Sequence, residues 1–92
     1  MRKKAEVQKA EQVAFDLLWY VRHKTWEMPA ATPDDIIAAA NKKAAEIEAT
    51  GEPEYLADLL KMDVEYGMLV GRLTTLRWVL GMEWDEHGIL DT

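Results

Sequence analysis

Apolar residues recur along this chain at spacings of three and four, the repeat of a helix with one buried side. Three segments carry the pattern, and no segment shows strand alternation bounded by turn signals. In helix one, expected over residues 3–26, Val7, Ala10, Val13, Ala14, Leu17, Leu18 and Val21 share a broad stripe. Helix two, over 33–49, places Ile36, Ala40 and Ile47 on a narrow stripe flanked by Ile37 and Ala44. Helix three, over 53–80, has Leu56, Leu59, Leu60, Val64, Gly67, Val70, Gly71 and Trp78 on one side. Met62, Tyr66, Leu69, Leu73, Leu76 and Leu80 carry its apolar surface further round.

The gaps between these segments are written in turn chemistry. Pro29 disfavours helix at Met28. Thr32, Pro33 and Asp35 read as an N-cap, a first helical residue and the far side of a capping box. Gly51 suits a left-handed helix end, Pro53 suits a helix start, and Gly81 closes helix three. Residues 81–92 follow as a tail. The expected fold is all-α, a single domain over 1–92. It is a three-helix antiparallel bundle or hairpin with two long helices and a shorter, alanine-rich middle one. A 28-residue third helix would reach about 42 Å, longer than a domain of this size is wide. It must therefore kink, with Gly67 or Gly71 as candidate sites, or be covered by a second chain.

Two features imply more apolar surface than one small core absorbs. Phe15, Trp19 and Trp26 lie opposite the core stripe of helix one, with Arg22 and His23 among them. Three readings fit: the other helices wrap both sides of helix one, these rings form a self-association face, where aromatics beside arginine are typical, or they line a ligand groove. Gly67 and Gly71, four apart on helix three, let another backbone approach closely. Asp63 and Arg77 interrupt the apolar side, with Val70 at their midpoint. In an antiparallel homodimer about Val70, Asp63 of one chain would face Arg77 of the other; alternatively Arg77 meets Glu83 or Asp85 just past the helix. The expected interface residues are thus Phe15, Trp19, Arg22, Trp26, Asp63, Gly67, Val70, Gly71 and Arg77.

Composition narrows the chemistry. Charged residues are 30% of the 92, the formal net charge is −6, and cysteine is absent, which excludes thiolate sites and disulfides. The basic residues Arg2, Lys3, Lys4 and Lys9 cluster only at the N-terminus, too few for a phosphate-tracking stripe, so direct nucleic-acid binding is not expected. No apolar run is long enough for a membrane span, and no signal-peptide core follows the basic start, so the expected address is the cytoplasm.

Catalytic signatures are lacking: no serine occurs, and His23 has no second histidine at helical spacing. Asp85, Glu86, His87 and Asp91 offer metal-ligand types, but in no established spacing; a tail docked through Trp84, Ile89 and Leu90 is the plainer reading. Facing carboxylate pairs of the kind that hold magnesium in helical nucleotide pyrophosphatases are not visible. No catalytic, cofactor or metal residue is therefore assigned.

The stretch from Gly67 to Thr92 resembles the ending of a group of small bacterial helical proteins. There a Gly-x-Leu-x-x-Leu-Arg-Trp-Val-Leu-Gly helix leads to Trp-Asp and a final Leu-Asp-Thr. The matching residues are Gly71, Leu73, Leu76, Arg77, Trp78, Val79, Leu80, Gly81, Trp84, Asp85, Leu90, Asp91 and Thr92, with His87 and Gly88 set between the last two motifs. The resemblance implies a bacterial, cytoplasmic origin and says nothing about mechanism. The expected function is a non-catalytic protein-interaction or scaffold module, a homodimer with another protein as a possible partner. The alternative is a ligand-binding protein or metal-assisted hydrolase with its site between helices or subunits, near His23, Trp26, Asp63 or the acidic tail.

Overall fold

The computed structural model describes residues 2–81 and is all-helical there. Four helices follow one another: α1 (Lys4–Thr25), α2 (Asp34–Thr50), α3 (Pro53–Leu60) and α4 (Val64–Val79). α1 is the central element. It packs most extensively on α4, and it also meets α2 and α3. The core joins Ala14, Leu18, Tyr20 and Val21 of α1 to Ala44 of α2, Leu56 and Leu59 of α3, and Leu69 and Leu73 of α4. Each fully buried Leu or Val contributes about 1.5–3 kcal/mol, so the two halves of the expected third helix supply most of what α1 packs against.

That third helix is not continuous. It stops at Leu60, and the chain turns through Lys61, Met62 and Asp63 before α4 begins. The break falls at neither expected glycine. Met62 takes a left-handed φ of 53°, and its N–H donates back to the Leu59 carbonyl. The reason is burial. In one straight helix Leu59 and Leu69 would stand about 15 Å apart, and Leu56 and Leu73 about 25 Å. The break folds all four onto one core. A continuous helix would have left one end of that surface in water.

Two other expectations change at the helix ends. The Thr32 hydroxyl donates to the Pro29 carbonyl at 2.6 Å, and α2 starts without a side-chain cap. The Thr32–Asp35 capping box therefore does not form. Gly51 ends α2 with φ −85° and ψ 159°, so it is extended and not left-handed. It is needed for space: a Cβ there would lie 2.9 Å from both the Ile47 carbonyl oxygen and Leu56 Cδ1. Gly81 does adopt the expected left-handed φ, 84°. The docking of Trp84, Ile89 and Leu90 lies outside the described residues, as do the ligand types of the tail and most of the second half of the bacterial pattern.

α2 buries only Ala44. Its attachment to α1 is largely polar. Lys43 Nζ lies 3.2 Å from Asp16 Oδ1 and over the rings of Trp19 and Phe15, at 4.3 and 5.9 Å. His23 Nε2 donates to Asn41 Oδ1 at 3.2 Å. Tyr20 Oη donates to Glu48 Oε2 at 3.1 Å, and the Lys24 ammonium lies 3.4 Å from the same oxygen. Burial, and then the hydrogen bond and negative charge of Glu48, hold the Tyr20 phenol above its ordinary pKa of 10.0.

Two outcomes follow. A left-handed Met costs about 1–2 kcal/mol relative to glycine in local conformational energy. Met62→Gly is therefore expected to raise unfolding stability in denaturant by roughly 0.5–1 kcal/mol after the extra unfolded-state entropy of glycine. In an unbroken helix the same change would lower stability by about 1 kcal/mol, so the sign decides. For Tyr20, a phenol pKa raised by folding stabilises the fold fully below the unfolded value, and that contribution fades as pH climbs through the folded value. The stability gap between the native chain and Tyr20→Phe should be constant from pH 7 to 9 and shrink above pH 10. A gap independent of alkaline pH would show that the Tyr20–Glu48 contact does not persist in solution.

Candidate functional site

The expected interface residues separate into three groups. Trp19, Arg22, His23 and Trp26 converge on one cleft. The first three lie in the last two turns of α1 and Trp26 directly follows it, and the connection through Met28, Pro29 and Thr32 leads to Ile36 and Ala40 of α2, which line the same cleft. The cleft measures about 540 Å³, within the size range of small-ligand sites. The Trp19 and His23 rings stack at 5.0 Å and 6°, a spacing set by four residues on one helix face. Arg22, nearly buried, carries its guanidinium 5.0 Å from the Trp26 ring centre. Trp26 itself is 60% exposed at the cleft mouth.

A second group turns inward. Phe15 and Val70 are half-buried and pack against the core, as Trp19 does from the cleft. α1 is thus wrapped on both sides at Phe15 and Trp19. Arg77 Nε donates to Glu11 Oε1 at 3.0 Å, with the two side chains 17% and 13% exposed, and the guanidinium lies 5.4 Å from the Phe15 ring centre. Arg77 is therefore engaged by α1 of its own chain, a partner the sequence reading did not consider. This intrachain ion pair competes with the expected pairing to Asp63 of a second chain. Asp63 is exposed at the α3–α4 junction.

The third group faces outward on α4. A Cβ added to Gly67 or Gly71 would meet nothing within 4 Å. Around them Val64 is 67% exposed, Met68 56% and Trp78 65%, with Val79 nearly half exposed. Leu69 and Leu73 bury the opposite side of the same helix. Met68, Thr75 and Val79 were missed as members of this face. The signal lay in the spacing: Val64, Gly71 and Trp78 are seven apart and nearly align at two helical turns.

Among the described residues no group of three His, Asp or Glu side chains is placed to hold a metal ion, and no helix there is long and apolar enough to cross a membrane. No protein-family model, curated protein or solved structure matches the chain.

The inward group makes its own test. A largely buried charge-assisted pair couples more strongly than a surface one. A double-mutant cycle of Glu11→Ala and Arg77→Ala, read by denaturant unfolding, should give a coupling of about 1–3 kcal/mol. A value near zero would show that α1 and α4 are not joined through this pair.

Proposed function

We propose that this chain is a non-catalytic protein-interaction or scaffold module that works as a homodimer, in the cytoplasm. The observation that carries the reading is the outward face of α4. Val64, Met68 and Trp78 are each more than half exposed there, and large contiguous apolar patches on small domains mark association sites. The surfaces weighed from sequence are not equally available. Phe15 and Trp19 are half-buried against the chain's own core, with the Lys43 ammonium over both rings. The Gly67 and Gly71 side has open space in front of it.

The α1–α2 cleft favours a second reading, binding of a ligand between helices. Its wall of stacked Trp19 and His23, with exposed Trp26 beside it, suits a flat apolar group.

Light scattering after size exclusion tests the first reading. A mass approaching twice 10.5 kDa, falling on tenfold dilution, is expected. Gly71→Leu should return the mass to that of one chain without unfolding it, because a larger side chain meets nothing in the protomer and gains about 0.5–1 kcal/mol of helix propensity. Trp19→Ala should leave the mass unchanged. One chain's mass at every concentration would overturn the homodimer.

A further inference from the structure

The outward face of α4 has an internal symmetry about Gly71. Val64 and Trp78 lie seven residues to either side of it, and Gly67 and Thr75 lie four to either side. On a helix these five positions fall on one strip, with the outer two about 21 Å apart. The outer two are the bulky ones, and both are about two-thirds exposed. Gly67 and Thr75 between them are both exposed, and Gly67 and Gly71 leave open space above the backbone. Met68 and Val79 widen the strip on one side.

From this arrangement we infer that α4 is the homodimer interface and that two copies pair antiparallel across a two-fold axis at Gly71. This rests on the reading of the chain as a homodimer, and it adds the surface, the register and the direction.

The occupant is a second copy because the strip is complementary to its own reverse. Turned about Gly71, Trp78 of each chain lies over Val64 of the partner copy, and Thr75 lies over Gly67 of the partner copy. Every larger side chain thereby meets a smaller one. In a parallel pair Trp78 would meet Trp78 and Val64 would meet Val64, crowding one end and leaving a void at the other, which close packing disfavours. Antiparallel helix dipoles also attract. The area is sufficient. The exposed parts of Val64, Met68, Trp78 and Val79 amount to on the order of 500 Å² per copy, or about 1,000 Å² for the pair, the lower bound of a specific interface. An interface of that size fits a reversible dimer. The axis also differs from the one about Val70 that pairing of Asp63 with Arg77 would require, since Val70 and Arg77 both turn toward the chain's own core.

Disulfide trapping reads the register, because the chain has no native cysteine. Val64→Cys and Trp78→Cys are prepared separately, checked for helicity by circular dichroism, mixed, and oxidised with glutathione disulfide. Both positions are exposed, so the protomer fold is not at stake. In the mixed dimer one Trp78–Val64 contact stays intact while the other becomes the cysteine pair. The mixed disulfide is expected to form about tenfold faster than either same-site disulfide, because only that pair is brought within bonding reach. Same-site disulfides forming faster would overturn the antiparallel register. A dimeric mass with no selective trapping at either site would overturn α4 as the interface while leaving the homodimer reading intact. A monomeric mass at all concentrations would overturn both.

Discussion

Every other helix in the described chain takes its position from α1. A domain this small has room for one core, and α1 supplies the most residues to it and packs against α2, α3 and α4. α4 packs on it most extensively and joins the core through Leu69 and Leu73, α3 adds Leu56 and Leu59 to the same core, and α2 is bonded to the side carrying Asp16 and His23. With the inner side of α1 covered by its neighbours, much of the remaining apolar surface lies on the outside of those neighbours. That is why the excess falls on α4, where one side is buried by Leu69 and Leu73 and the other stays open.

Much of this was legible in the residues. The all-helical class and the ends near Pro29, Pro53 and Gly81 follow from local chemistry and 3.6-residue periodicity. The break at Met62 was not legible, because nothing in Lys61-Met62-Asp63 signals a left-handed residue; methionine is a good helix former. Tertiary burial of Leu56 and Leu59 together with Leu69 and Leu73 overrode propensity there. Gly51 was placed correctly at a helix end but for the wrong reason, since sequence shows a glycine without showing whether φ or space demands it. Glu11 as a partner of Arg77 was hidden for a related cause: it is 66 residues away, and only the α1–α4 pairing brings the two together.

The candidate sites divide in the same way. Trp19, Arg22, His23 and Trp26 were already grouped by helical spacing, and the cleft merely adds its far wall from α2. On α4 the glycines were identified, while Val64 and Trp78, which make the face usable, were read as part of one continuous apolar surface, and Met68 was missed. A 28-residue helix hides that distinction. Two shorter helices expose it, because each then has its own inner and outer side.

The polar attachment of α2 has a consequence for the cleft beside it. One wall, on α1, is fixed by the core. The other rides on a helix that buries one alanine and is held by Lys43 to Asp16, Lys24 to Glu48, and His23 to Asn41. The two lysine–carboxylate pairs among these weaken as dissolved salt screens them, whereas the α1–α4 packing does not. The gap between Trp26 and Ile36 is therefore expected to respond to the ionic strength of the surroundings more than the α1–α4 frame, whose apolar packing salt leaves in place.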